Sequence, residues 1–170
     1  MTDQTSNNTR IAFVDISVFE DGSVRGGVLI TDTVSRPYEF RVTSSIKPTQ
    51  LQIILYGKSL VEYMYGELIC LPLLKQVKES ISLAVCHDEH LLVARPGLQF
   101  PLIAIKKPGQ GSDKEGIGAT TLRAHKNFPG EQAQAEVLLS AMSQRFDIFE
   151  PFERIKLAVS EVHKQKIGAK

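Results

Sequence analysis

Apolar and polar positions follow two rhythms along this chain, and they divide it into strand-like and helix-like stretches. Ile11-Ala12-Phe13-Val14-Asp15-Ile16-Ser17-Val18 is a β-branched apolar run with one carboxylate in its middle, the pattern of a central strand covered on both faces. Glu20-Asp21-Gly22-Ser23 follows as a hairpin signal, because Asp-Gly supplies the positive φ angles that tight turns need. A second strand then runs from Val24 to Thr31. Gly26-Gly27 inside it marks a bulge or a close approach by a neighbour. In Tyr38–Thr43, Tyr38, Phe40 and Val42 share one face and Glu39, Arg41 and Thr43 the other, which suits an antiparallel strand at or near a sheet edge.

The rhythm then turns helical. Pro48 and Thr49 start a first helix with Leu51, Ile54 and Leu55 on one face and Gly57 as its stop. Ser59 caps a second, carrying Leu60, Met64, Leu68 and Leu71, which Pro72 kinks or restarts. Ser82-Leu83-Ala84-Val85-Cys86 is another all-apolar strand, and the helical crossover permits it to lie parallel to the first. Leu102–Ile105 and Thr120–Ala124 are short strands, after a loop containing Pro96-Gly97 and Pro101. Gly130–Arg145 is an amphipathic helix. A last helix opens at Pro151 and runs to about Lys164, with Phe152, Ile155, Val159 and Val162 inward. Residues 1–9 read as a disordered tail and the glycine-rich 106–119 as a mobile surface loop, within one domain spanning 10–165.

Composition narrows the class. The 170 residues are 42% hydrophobic and 23% charged, with 20 basic against 19 acidic residues. That balance provides no global basic field, so nucleic-acid binding needs a local patch. Cys70 and Cys86 lie in apolar segments and read as buried free thiols of a reducing compartment. The polar start lacks the apolar core of a signal peptide, and no stretch approaches the roughly 18 apolar residues of a membrane span. A cytoplasmic location is the resulting expectation.

Candidate chemistry centres on two places. A carboxylate buried at Asp15 requires a partner, a metal ion or a water-filled cleft. His87-Asp88-Glu89-His90 brackets two acids with two histidines. On one helical turn this binds Zn²⁺ or Mn²⁺; the other reading is a polar loop with Asp88 capping the next helix. The glycines at 109–118 are not followed by the Lys-Ser/Thr of a phosphate-binding loop, though Lys106, Lys107 and Lys114 suit phosphate contact. There is no Gly-x-Ser-x-Gly elbow. Cys86 and His87, adjacent on a strand, point to opposite faces and do not make a nucleophile–base pair.

A hairpin meander, a helical crossover, a parallel strand, a further strand and a C-terminal helix together resemble the ribonuclease H-like superfamily. The endonuclease V-like branch is similar in opening with a Val-Asp strand, here Val14-Asp15, and a long meander. The resemblance covers roughly residues 10–105 and rests on element order. It implies an α/β fold with a mixed sheet (antiparallel three-strand meander, helical crossover, parallel strands) and C-terminal helices. It also implies carboxylates binding two Mg²⁺ or Mn²⁺ ions that clamp the attacking and leaving oxygens of a phosphodiester in DNA or RNA. Position by position, Asp15 matches the acid of the first strand and Asp88 or Glu89 the acid past the fourth. Glu62 or Glu67 matches the helical acid, and Glu153 or Glu161 the last. The resulting expectation is Asp15, Asp88 and Glu89 as catalytic residues, with Asp15, Asp88, Glu62 and Glu161 holding metal. The alternative is a metal-free binding or assembly module of the same fold, meeting a protein partner or a second copy through the apolar helices of Leu51–Leu74.

Overall fold

The computed structural model describes residues 8–107 and 120–168, with side chains to 165. Most of the expected tail (1–9) and of the expected mobile loop (106–119) lies outside the described residues. The chain builds β1 (Ile11–Val18), β2 (Val24–Thr31), β3 (Pro37–Val42), α1 (Gln50–Tyr56), α2 (Leu60–Glu62), α3 (Leu71–Lys75), β4 (Leu83–Cys86), β5 (Leu102–Lys106), β6 (Thr121–Ala124), α4 (Glu131–Ser143) and α5 (Glu150–Gly168). The strands form one sheet in the order β3-β2-β1-β4-β5-β6. The meander pairs are antiparallel, β1–β4 and β4–β5 are parallel, and β6 returns antiparallel. This is the mixed α/β sheet expected, with β1 near its centre and β3 at one edge.

Strand alternation sends side chains to two cores. Ile11, Phe13, Val85 and Ile103 face α4 and α5, where they meet Leu139, Met142, Phe152, Ile155 and Val159. Ala12, Val14, Ala84, Cys86 and Ala104 face the crossover, where they meet Leu73, Leu74 and Leu91. The two glycines of β2 resolve as close approaches, one on each face. A Cβ on Gly26 would lie 2.1 Å from Ile69 Cγ2, and one on Gly27 would lie 2.6 Å from Val159 Cγ2. The bulge in β2 sits elsewhere, between Ile30 and Thr31.

Helix boundaries follow their signals in part: Ser59, expected to cap the second helix, makes no cap and instead donates its hydroxyl to the Tyr56 carbonyl at 2.6 Å. Thr49 caps α1 in a reciprocal pair with Gln52, and Gly57 stops it at φ +53°. The face of Leu51, Ile54 and Leu55, however, turns outward: these side chains are 64%, 66% and 71% exposed. Between α2 and α3 the chain runs as a π-helix, Tyr63–Cys70, ending with the Leu71 N–H on the Gly66 carbonyl. α3 follows without a break, with Pro72 in its first turn; lacking an N–H, Pro72 cannot extend the preceding π-helical hydrogen bonds. The helix expected after Asp88 is a 3-10 helix, Glu89–Gly97, which takes in the Pro96-Gly97 expected in a loop and buries Leu91, Leu92 and Ala94. In α5 the expected stripe holds at Phe152, Ile155 and Val159. At its end His163, not Val162, is buried: it accepts a hydrogen bond from Arg25 Nε at 2.9 Å and stacks on Phe19 at 3.6 Å. Cys70 and Cys86 are free and buried as expected. Among the described residues no helix is long and apolar enough to cross a membrane.

Candidate functional site

The register of the two central parallel strands decides the site. Ile11 pairs with Leu83 and Phe13 with Val85. Two residues further on, the same face of the sheet holds Asp15 on β1 and His87 just past β4. Asp15 Oδ1 lies 2.8 Å from His87 Nε2 and also accepts the Ile16 N–H at 2.9 Å. The Phe152 ring of α5 sits 4.5 Å from the imidazole, centroid to centroid. The hydrogen bond to Asp15 raises the His87 pKa above its ordinary value; partial burial opposes this, and the negative charges of Asp15 and Asp88 add to it. The half-buried carboxylate of β1 therefore has a partner, and the partner is an imidazole rather than the acid that was expected to face it.

The acids after β4 are held in their own pairs. Asp88 caps the 3-10 helix by accepting the His90 N–H at 2.9 Å, and the same oxygen meets His90 Nδ1 at 2.7 Å. This is the capping role, not the helical-turn chelate: His87 and His90 each turn to a different aspartate. Glu89 bonds Lys106 Nζ at 2.8 Å and Arg123 Nη1 at 3.4 Å. Asp15, Glu62, His87, Asp88, Glu89, His90 and Lys106 line one cleft of about 620 Å³ at the carboxyl ends of the parallel strands. A neighbouring groove of about 330 Å³ runs from Asp15 and His87 past Phe152, Glu153 and Lys156 to Ser160.

Four expected site residues thus share one cleft: Asp15, Asp88, Glu89 and Glu62. Glu161 does not join them. It is exposed on α5, with its carboxylate 3.5 Å from Gln165 Nε2, and lines neither the cleft nor the groove. Its alternative Glu153 lines the groove, whereas Glu67 is exposed and lines neither. The residues that sequence reasoning missed are His87 as the partner of Asp15 and Arg123 as a partner of Glu89. The available signal for His87 was its place immediately after a strand parallel to β1.

A two-cation site needs carboxylates that share a metal. Here Asp15 is held by His87, Asp88 by the helix it caps and by His90, and Glu89 by two basic side chains. Among the described residues no three His, Cys, Asp or Glu side chains come together closely enough to hold one ion. The donor set as folded does not fit the pair of Mg²⁺ ions that the resemblance implies.

No family model matches the chain, and no curated protein matches it by sequence. Among solved structures it is similar to human endonuclease V, with a TM-score of 0.63 and 12% identity over 97% of this chain and 88% of that one. It is also similar to a cysteine-substituted catalytic domain of human endonuclease V, with a TM-score of 0.53 and 14% identity over 97% and 86% of the two chains. The fold is endonuclease V-like, as the element order had led us to expect.

Proposed function

We propose that this chain is a nucleic-acid-binding domain of the endonuclease V-like fold, which takes a sugar–phosphate backbone at the carboxyl ends of β1, β4 and β5. The observation that carries this reading is the pair of cations at the edge of the cleft, Lys106 and Arg123, with two histidines beside them. His87, His90, Lys106 and Arg123 are each positioned against an acid of the same cleft. A bare cluster of carboxylates repels phosphate, whereas here Lys106 and Arg123 set two fixed positive charges against Glu89. The Lys106 and Arg123 side chains are 44% and 62% exposed, so their ion pairs with Glu89 are weak and a phosphate competes for them. The position is the one where α/β sheets take ligands. The likeness to human endonuclease V, a nuclease by name, supports nucleic acid over other polyanions.

The test is fluorescence anisotropy with labelled DNA and RNA, single-stranded and duplex, in EDTA at low salt. Salt-dependent binding is expected, and removing Lys106 and Arg123 together should lower the single-strand log–log salt slope by roughly 1.4, the equivalent of two phosphate contacts. Absence of binding at the lowest salt removes the proposal.

One observation favours a second reading, Mg²⁺- or Mn²⁺-dependent phosphodiester hydrolysis: four carboxylates line a single cleft. It requires Asp15 to release His87 and Glu89 to release Lys106. Metal-dependent cleavage that disappears in Asp15→Asn would establish it over pure binding.

A further inference from the structure

We infer that His87 is the residue that closes this cleft to hard, oxygen-seeking cations such as Mg²⁺ and Mn²⁺, and that a carboxylate in its place opens it. The inference takes from the reading above only the location of the cleft and stands whether or not nucleic acid binds there. The parallel register sets residues 15 and 87 side by side, so their polar atoms already lie 2.8 Å apart. Two oxygens on one Mg²⁺ sit at about 2.1 Å from the ion and hence about 3 Å from each other. The spacing suits a shared ion; the chemistry does not. Mg²⁺ selects carboxylate, carbonyl and water oxygens, not imidazole, and the Asp15 oxygen that faces His87 is already taken by Nε2 and by the Ile16 N–H.

The ring is also held in place. Phe152 packs against it from α5, and α5 reaches that point because Gly27 has no Cβ to meet Val159 and Ile155. The half-exposed His87 side chain thus rests on Phe152 with its ring and on Asp15 with its Nε2. Around it, Glu62, Asp88 and Glu89 line the same cleft and offer further oxygens. What the arrangement lacks is a second carboxylate directly beside Asp15, and residue 87 is the position that controls this.

The experiment uses the full chain and reads binding, not activity. Wild type, His87→Asp, His87→Glu and the double variant His87→Asp with Asp15→Asn are melted in EDTA and in millimolar MgCl₂ or MnCl₂. Amide and imidazole NMR resonances are followed during Mn²⁺ titration. Wild type should melt at the same temperature in all buffers, with no selective broadening at Asp15 or His87. His87→Asp should be less stable than wild type in EDTA, because two carboxylates then face each other. It should regain several degrees with either cation, and the double variant should lose that response. Selective Mn²⁺ broadening or cation stabilisation of the wild type overturns the inference. So does a folded His87→Asp or His87→Glu protein that ignores both ions. If neither acidic variant folds, His87→Asn, whose amide oxygen also faces Asp15, is titrated in their place: selective Mn²⁺ broadening at Asp15 that the wild type lacks supports the inference, and its absence overturns it.

Discussion

Gly27 stands opposite Asp15 across the β1–β2 ladder, and a Cβ placed on it would lie 2.6 Å from Val159 Cγ2 and 2.8 Å from Ile155 Cγ2. The missing side chain lets α5 close on the sheet at the level of the site. Gly27→Ala should therefore push α5 outward and cost about 1–3 kcal/mol, the usual scale for overpacking a core. Urea denaturation measures it. Gly26→Ala meets Ile69 on the opposite face and should destabilise on a similar scale without disturbing Phe152. Wild-type stability in both variants contradicts the packing described.

The His87–Asp15 pair also ties stability to pH. His87 has a raised pKa in the folded chain, first because of its hydrogen bond to Asp15. A group that binds its proton more tightly when folded stabilises fully below its unfolded pKa, about 6.5 for histidine, and loses that contribution as pH rises through the folded value. The stability gap between wild type and His87→Gln should thus be larger at mildly acid pH than at alkaline pH, as read by thermal melting. Since the His87 side chain is 44% exposed, salt should narrow the gap as well. A gap that widens with pH runs against this assignment.

Arg95 holds the 3-10 helix to the start of α4. It is 8% exposed, and its Nε donates to both Glu131 oxygens at 2.9 and 3.0 Å. Its Nη1 donates to the Leu98 carbonyl at 2.7 Å, and its guanidinium lies 3.9 Å over the Phe128 ring. Arg95→Ala leaves Glu131 and that carbonyl without their partner and should cost about 3 kcal/mol, the low end for breaking a buried pair. Arg95→Lys keeps the charge without the fork and should fall between. Chemical denaturation of the three proteins checks the order.

Burial pushes the Cys70 thiol up to about 12, and it pushes Cys86 upward as well. Neither forms the reactive thiolate at neutral pH. An aromatic disulfide reagent should label neither cysteine in the native protein, and both should react once denaturant unfolds it. Fast native labelling of either one would place it outside the core.

What could be read from the sequence was what depends on near neighbours. The Asp-Gly hairpin, the Thr49 and Gly57 ends of α1, the Asp88 cap and the two apolar strands all follow from residues a few positions apart. The partner of Asp15 does not: His87 is 72 positions away, and only the register of β1 on β4 brings it there. A helical acid was harder still, because α5 offers both Glu153 and Glu161, and choosing between them requires the helix's rotation and its reach along the groove. α1 shows a related limit. Periodicity assigns Leu51, Ile54 and Leu55 to one face, but it cannot say that nothing in the described part of the chain covers that face.

The cleft depends most on Asp15 and His87 meeting, and the measurement that tests this most directly is the NMR titration of the His87 imidazole in wild type and in Asp15→Asn. The prediction is a pKa above that of free histidine in the wild type and a fall toward it in the variant. The same value in both proteins would mean that the two side chains do not meet, and the cleft built on their contact would have to be abandoned.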